Sequence, residues 1–148
     1  MPGNGKGFEN LEVYRLSEEI ADRIWELVVH WDVYAKDAVG KQLVRAADSI
    51  GANIAEGTGR GTYKDNCYFA RIGRGSFNET RHFLRRAFRR KLLTDDEIAL
   101  LQPLIQELGP RLNAYIRSIL EQGRRKDQKQ RRTIKGKSLN EPSESRSS

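Results

Sequence analysis

The sequence predicts an all-α fold, an antiparallel up-down four-helix bundle, and three observations carry that reading. Four stretches place apolar residues at steps of three and four, the spacing that gathers them on one face of a helix. No stretch alternates β-branched and polar residues as a half-buried strand would. Helix start and stop signals (Thr62, Thr94 with Glu97, and Gly57) fall between the apolar stretches. At 148 residues the chain suits one domain, read as residues 8–120, with a short leader at 1–7 and a tail at 121–148.

The leader, MPGNGKG, holds three glycines and no apolar anchor, so it is expected to be disordered. In the first helix, Val13, Leu16, Ile20, Ile24, Leu27, Val28 and Trp31 share a face, and Glu12, Glu18, Glu19, Asp22 and Glu26 occupy the others. Tyr14 and Trp25 lie off the centre of that stripe, which fits either a wide core face or a subunit contact. Residues 33–36 read as a connector, with Asp37 as N-cap of the second helix.

The second helix gathers Val39, Leu43, Ala46, Ala47, Ile50 and Ile54 inward. Beside them Gln42, Arg45, Ser49, Asn53 and Glu56 follow at steps of three or four, a polar line about a quarter-turn away. Small residues flank both, so a neighbouring backbone is expected to approach closely and enclose the line as an internal hydrogen-bond network. A ligand site is the alternative. Gly57 reads as the glycine that closes the helix.

Residues 58–61 form a link. Its alternating glycines do not make a nucleotide fingerprint, because a helix and not a strand precedes them; a phosphate resting beside Arg60 on the next helix is the most they would support. Thr62, with Asp65, caps the third helix. Phe69, Ile72, Ser76, Thr80, Phe83 and Ala87 are expected inward, with Gly73 and Gly75 thinning the middle. Arg71, Arg74, Arg81, Arg85 and Arg89 share the opposite sector, extended by Arg86, Arg90 and Lys91.

The fourth helix opens on a capping box, Thr94 with Glu97, and a Leu93 to Ile98 staple. Ile98, Leu101, Ile105, Leu108, Leu112, Tyr115 or Ile116, and Ile119 continue its seam. Pro103 and Pro110 lie inside it and predict a kink or a short break. From Gln122 onward apolar residues thin to Ile134 and Leu139, and a segment that buries so little is expected to be flexible.

Charge is sorted by helix. Residues 8–32 carry two basic and seven acidic groups, residues 62–91 nine basic and two acidic, and residues 121–148 nine basic and four acidic, within a net charge of +7. Clustered arginine suits bidentate phosphate contacts. Catalysis finds no constellation: His30 and His82 stand apart, and Cys67 has no basic neighbour in its turn, so each is read as a surface or interface residue. The single cysteine excludes an internal disulfide, and no His/Cys spacing suits a metal, so no metal or cofactor is expected. Without a secretory signal or an apolar run of membrane length, a reduced cytoplasmic setting is expected, where the NET sequence at 78–80 is no glycosylation acceptor.

Residues 42–60, QLVRAADSIGANIAEGTGR, resemble the signature of small bacterial four-helix bundle proteins first named for reading frames within intervening sequences of 23S ribosomal RNA genes. That family includes the accessory variability proteins of diversity-generating retroelements. FENLEV at 8–13 and GSFNE at 75–79 agree with it, so the resemblance covers roughly residues 8–120. It implies a homopentameric ring whose basic surface binds nucleic acid and a reverse transcriptase. Together these readings predict a non-enzymatic accessory protein that binds RNA or DNA through phosphate contacts by Arg60, Arg71, Arg74, Arg81, Arg85, Arg86, Arg89 and Arg90. The alternative is a protein-binding scaffold whose arginines serve its own assembly.

Overall fold

The computed structural model describes residues 7–140, and side chains as far as Lys137. The expected disorder of residues 1–6 and the end of the tail, 141–148, lie outside the described residues. A single turn at Phe8–Asn10 leads into α1 (Glu12–Val28), then α2 (Lys41–Thr58), α3 (Tyr63–Arg89) and α4 (Asp95–Asn140), with no strand among the described residues. Each helix packs on its neighbours in sequence, and α4 returns to α1. The result is an up-down four-helix bundle. In that circuit α1 and α3 are diagonal and share at most a marginal contact.

The core forms where the four apolar stripes meet. Ile20, Ile24, Leu43, Ile50, Ile54, Leu108 and Leu112 are fully buried, and each such side chain contributes about 1.5–3 kcal/mol by leaving water. Two smaller clusters close the ends: Cys67 and Ala70 with Ile116 and Ile119 at one, Val39 and Ala87 with Leu93 at the other.

The entry to α2 differs from expectation. Helical backbone begins at Val33, capped by Asp32, whose Oδ1 accepts from the Ala35 N–H at 2.8 Å, and it passes through a π-helical stretch, Lys36–Gly40, before regular α2. Asp37 is therefore no cap; it pairs with Lys41 at 3.0 Å. Gly57 is not the closing glycine either, since α2 continues through Thr58 and Gly59 ends it with an ordinary φ of −79°. Its role is close approach: a Cβ on Gly57 would stand 2.7 Å from Asn66 Oδ1 and 3.1 Å from the Asn66 carbonyl oxygen. Gly73 does the same from α3, where a Cβ would lie 3.3 Å from the Ile50 carbonyl. Small residues on both helices thus let α2 and α3 make the tightest pair in the bundle.

The buried face of α3 is Cys67, Ala70, Gly73, Phe77, Thr80 and Ala87, turned about a residue from the expected one. Ile72 is exposed, whereas Phe77 and Cys67 are buried, so Cys67 is a core residue and not a surface one. Thr62 caps α3 as expected, accepting from Asp65 N–H at 3.1 Å. Its other end closes at Lys91, with φ of 61°, while the Leu92 and Lys91 N–H groups reach back to the Ala87 and Phe88 carbonyls. That double bond pattern satisfies carbonyls the helix end leaves free, with a lysine where glycine is the usual residue.

The Thr94 and Glu97 capping box forms in both directions, at 2.9 and 3.1 Å. No break follows: α4 runs unbroken through Pro103 and Pro110. Both prolines are exposed, as are Ala99 and Gln106, whose carbonyls lose a helical donor, so the loss falls on the solvent side of the helix and not in the core. The helix also outlasts the bundle. Residues 121–140, expected to be flexible, are helical, and the side chains of 121–137 are nearly all exposed. Strong helix formers supply this order without burial, helped by the Glu121 to Arg125 pair at 3.2 Å.

Candidate nucleic-acid interface

Between Glu79 and Lys91, α3 and the Arg90 that follows it hold arginine at 81, 85, 86, 89 and 90 and no further acidic residue. Glu79 itself is engaged, because Arg45 of α2 reaches across to it at 2.6 Å. None of the five arginines forms an ion pair among the described residues; Arg81 instead lies 5.8 Å over the Phe77 ring. Four of them are exposed and Arg86 is half-buried. The acidic helix is no help, since α1 lies across the bundle. Its own side shows the matching excess: Asp48 on α2 has its carboxyl pushed above the ordinary range by partial burial and by Asp22 of α1. Positive and negative faces therefore stand on different sides of one chain; the acidic one is partly neutralised, Glu12 by Arg111 of α4 at 2.7 Å and Glu19 by Arg23 at 3.4 Å.

Phe88 sits among these arginines at 46% exposure. The sequence reading passed over it; an aromatic three residues after Arg85 on an arginine face was the available signal. An exposed ring between guanidinium groups suits an unpaired base as well as phosphates.

The other three arginines go elsewhere. Arg60 pairs with Glu56 at 2.7 Å and covers the Phe69 ring at 4.9 Å, fastening the α2–α3 link. Arg74 donates to Asn113 Oδ1 at 3.1 Å and ties α3 to α4. Arg71 lies on a groove near the start of α3. The expected network on α2 is likewise redistributed. Ser49 Oγ donates to the Arg45 carbonyl at 2.7 Å and Asn53 Nδ2 to the Ser49 carbonyl at 2.8 Å, both within the helix. Gln42 accepts from Arg45 at 2.9 Å, and Glu56 holds Arg60. The line is real, but it runs along a half-exposed edge, and Arg45 alone carries it to another helix.

The second basic element is the end of α4. Residues 124–140 carry eight basic side chains and one acidic. Tyr63, the first residue of α3, packs beside Gly123, so the rest of α4 extends about 25 Å past the bundle. This end is opposite to the one where Arg85 to Arg90 lie, because α3 and α4 are antiparallel. Among the described residues no group of three or more His, Cys, Asp or Glu is placed to hold a metal, and no helix is long and apolar enough to cross a membrane.

Residues 9–114 match the family described as 23S rRNA-intervening sequence protein. The chain belongs to that family. A solved structure from Bacteroides thetaiotaomicron, described as a protein of unknown function from the S23 ribosomal protein family, shares 26% identity with it. The likeness covers 70% of this chain and 97% of that one, with a TM-score of 0.62. No curated protein matches. The family match ends inside α4, so the basic extension of this member lies beyond it.

Proposed function

We propose that this family member is a non-enzymatic accessory protein that binds nucleic acid through its phosphates, with Arg81, Arg85, Arg86, Arg89 and Arg90 as one contact surface and the α4 extension as another. One observation carries the reading: the five arginines at the end of α3 have no carboxylate partner among the described residues, since Glu79 is engaged by Arg45 and the acids of α1 are across the bundle. The family's description, tied to 23S rRNA, supports RNA as the partner. Each phosphate neutralised releases counterions, so log affinity falls with log salt at about 0.7–0.9 per contact. Arg81→Glu with Arg85→Glu is expected to lower that slope by about two contacts, and removal of residues 124–148 to lower it further while leaving the α3 surface active. Binding whose salt slope ignores both changes would remove the proposal.

The opposed charges also favour a second element of the reading, association of identical copies head to tail, acidic α1 of one against basic α3 of the next. Trp25 at 58%, Val33 at 74% and Tyr34 at 83% exposure add an apolar patch near the end of α1. A ring of such copies, a homopentamer serving a reverse transcriptase, is the form the family resemblance implies; a scaffold that uses all its arginines in assembly is its limiting case. Sedimentation at low and high salt tests this, and a salt-independent monomer would refute it.

A further inference from the structure

A groove of ≈ 480 Å³ lies where the start of α3 meets the point at which α4 leaves the bundle. Its floor is apolar, made by Cys67, Ile119 and Leu120, the first two 4% and 2% exposed. Its rim is cationic: Lys64, Arg71, Arg124 and Lys126 face it against a single carboxylate, Asp127. None of these charges is in an ion pair among the described residues. Tyr63 stands at the mouth, 37% exposed, with Lys126 Nζ 5.5 Å from its ring centroid. Beside it Gly61 has open space where a side chain would project.

We infer that this groove takes a single unpaired nucleotide, its base against Tyr63 and the apolar floor and its phosphate on Arg71, Lys64 and Arg124. An apolar floor alone would suit any small hydrophobe, and a cationic rim alone any anion. Their combination within one groove fits a group that is flat and apolar at one end and anionic at the other. A base held in a duplex cannot present its face to such a floor, so the groove selects unpaired over paired nucleotides. Its place also matters. The basic extension begins at Arg124, on the groove's own rim, so a strand followed along the extension arrives there. The inference rests on the proposed nucleic-acid binding and adds a preference to it.

The test compares, with the full chain, a blunt RNA duplex, the same duplex with a short single-stranded overhang, and adenosine monophosphate alone. Stacking of one base is worth about tenfold in affinity, so the overhang duplex should bind about tenfold tighter than the blunt one. Arg71→Ala and Tyr63→Leu should each reduce that gain, and the overhang should shift the amide NMR signals of Gly61, Tyr63 and Cys67. Adenosine monophosphate binding that depends on Arg71 would make a free nucleotide the occupant; overhang preference without it makes a strand end the occupant. Equal affinity for both duplexes with no shift at Cys67 overturns the groove while leaving phosphate binding by α3 in place. Absence of any duplex binding would instead fell the reading on which it rests.

Discussion

Residues 95–120 and 121–140 belong to one helix, yet the first part buries Leu101, Leu108, Leu112, Ile116 and Ile119 while the second buries none of its described side chains. In the first part burial holds the helix, tolerating two prolines because they face water. In the second, beyond the contact of Lys126 with the Tyr63 ring, only propensity and local pairs hold it, and those are worth a few tenths of a kcal/mol each. The difference teaches that secondary structure and stability are separable: the same backbone can be part of the fold or merely attached to it.

The sharpest way to break this comparison is to remove the same kind of side chain from each half. Leu112→Ala is expected to cost about 2–5 kcal/mol in urea unfolding, and Ile134→Ala, at 68% exposure, under about 0.5 kcal/mol. Comparable costs would mean that the extension is packed against something after all. Proline gives a second contrast. Asn113→Pro should destabilise the fold by about 3 kcal/mol or more, whereas Gln128→Pro should lower the helical circular dichroism and leave the melting temperature where it was.

The junction is expected to respond more weakly. At Gly123 a Cβ would meet Tyr63 Cβ at 3.2 Å, so the gain of about 1 kcal/mol in helix propensity on Gly123→Ala is opposed by a tight contact. Fold stability should change by less than about 1 kcal/mol, while amide exchange in the extension slows. The smallest effect concerns pH. Burial raises the Tyr115 phenol above 10.0, with a smaller opposing pull from the Asn66 side chain. Its contribution is therefore complete below pH 10.0 and is lost as pH rises through the folded value. Tyr115→Phe should flatten that alkaline decline; an unchanged decline would assign it to other groups.

Much of this architecture was legible in the sequence where chemistry is local. The α2 stripe, the Thr62 cap and the Thr94 and Glu97 box depend on residues within one or two turns, and they stand as read. Four features were not legible for reasons that can be named. On α3, Phe69, Ile72, Phe77 and Phe83 point in several directions, and with glycine at 73 and 75 apolar periodicity alone leaves the helix phase open by about a residue. Asp32 and Asp37 both suit a cap, and the π-helical stretch between α2 and its true start leaves no periodic trace. The order of the extension has no burial signal to announce it. Above all, the arginines look alike in sequence; only the packing shows that Arg60 and Arg74 bind other parts of the chain while the cluster from Arg81 to Arg90 meets no acid among the described residues.

An unbroken α4 has one more property, a matter of phase. Arg124, Arg131 and Lys135 line up along the extension, and because the helix is continuous their azimuth is locked to that of Leu108 and Leu112 in the core. One residue inserted between Leu120 and Gly123 would leave composition and net charge almost untouched, yet swing the whole charged stripe by about 100° and advance it by about 1.5 Å. The core thus serves as the clamp of a dial, setting which way a distant row of cations points.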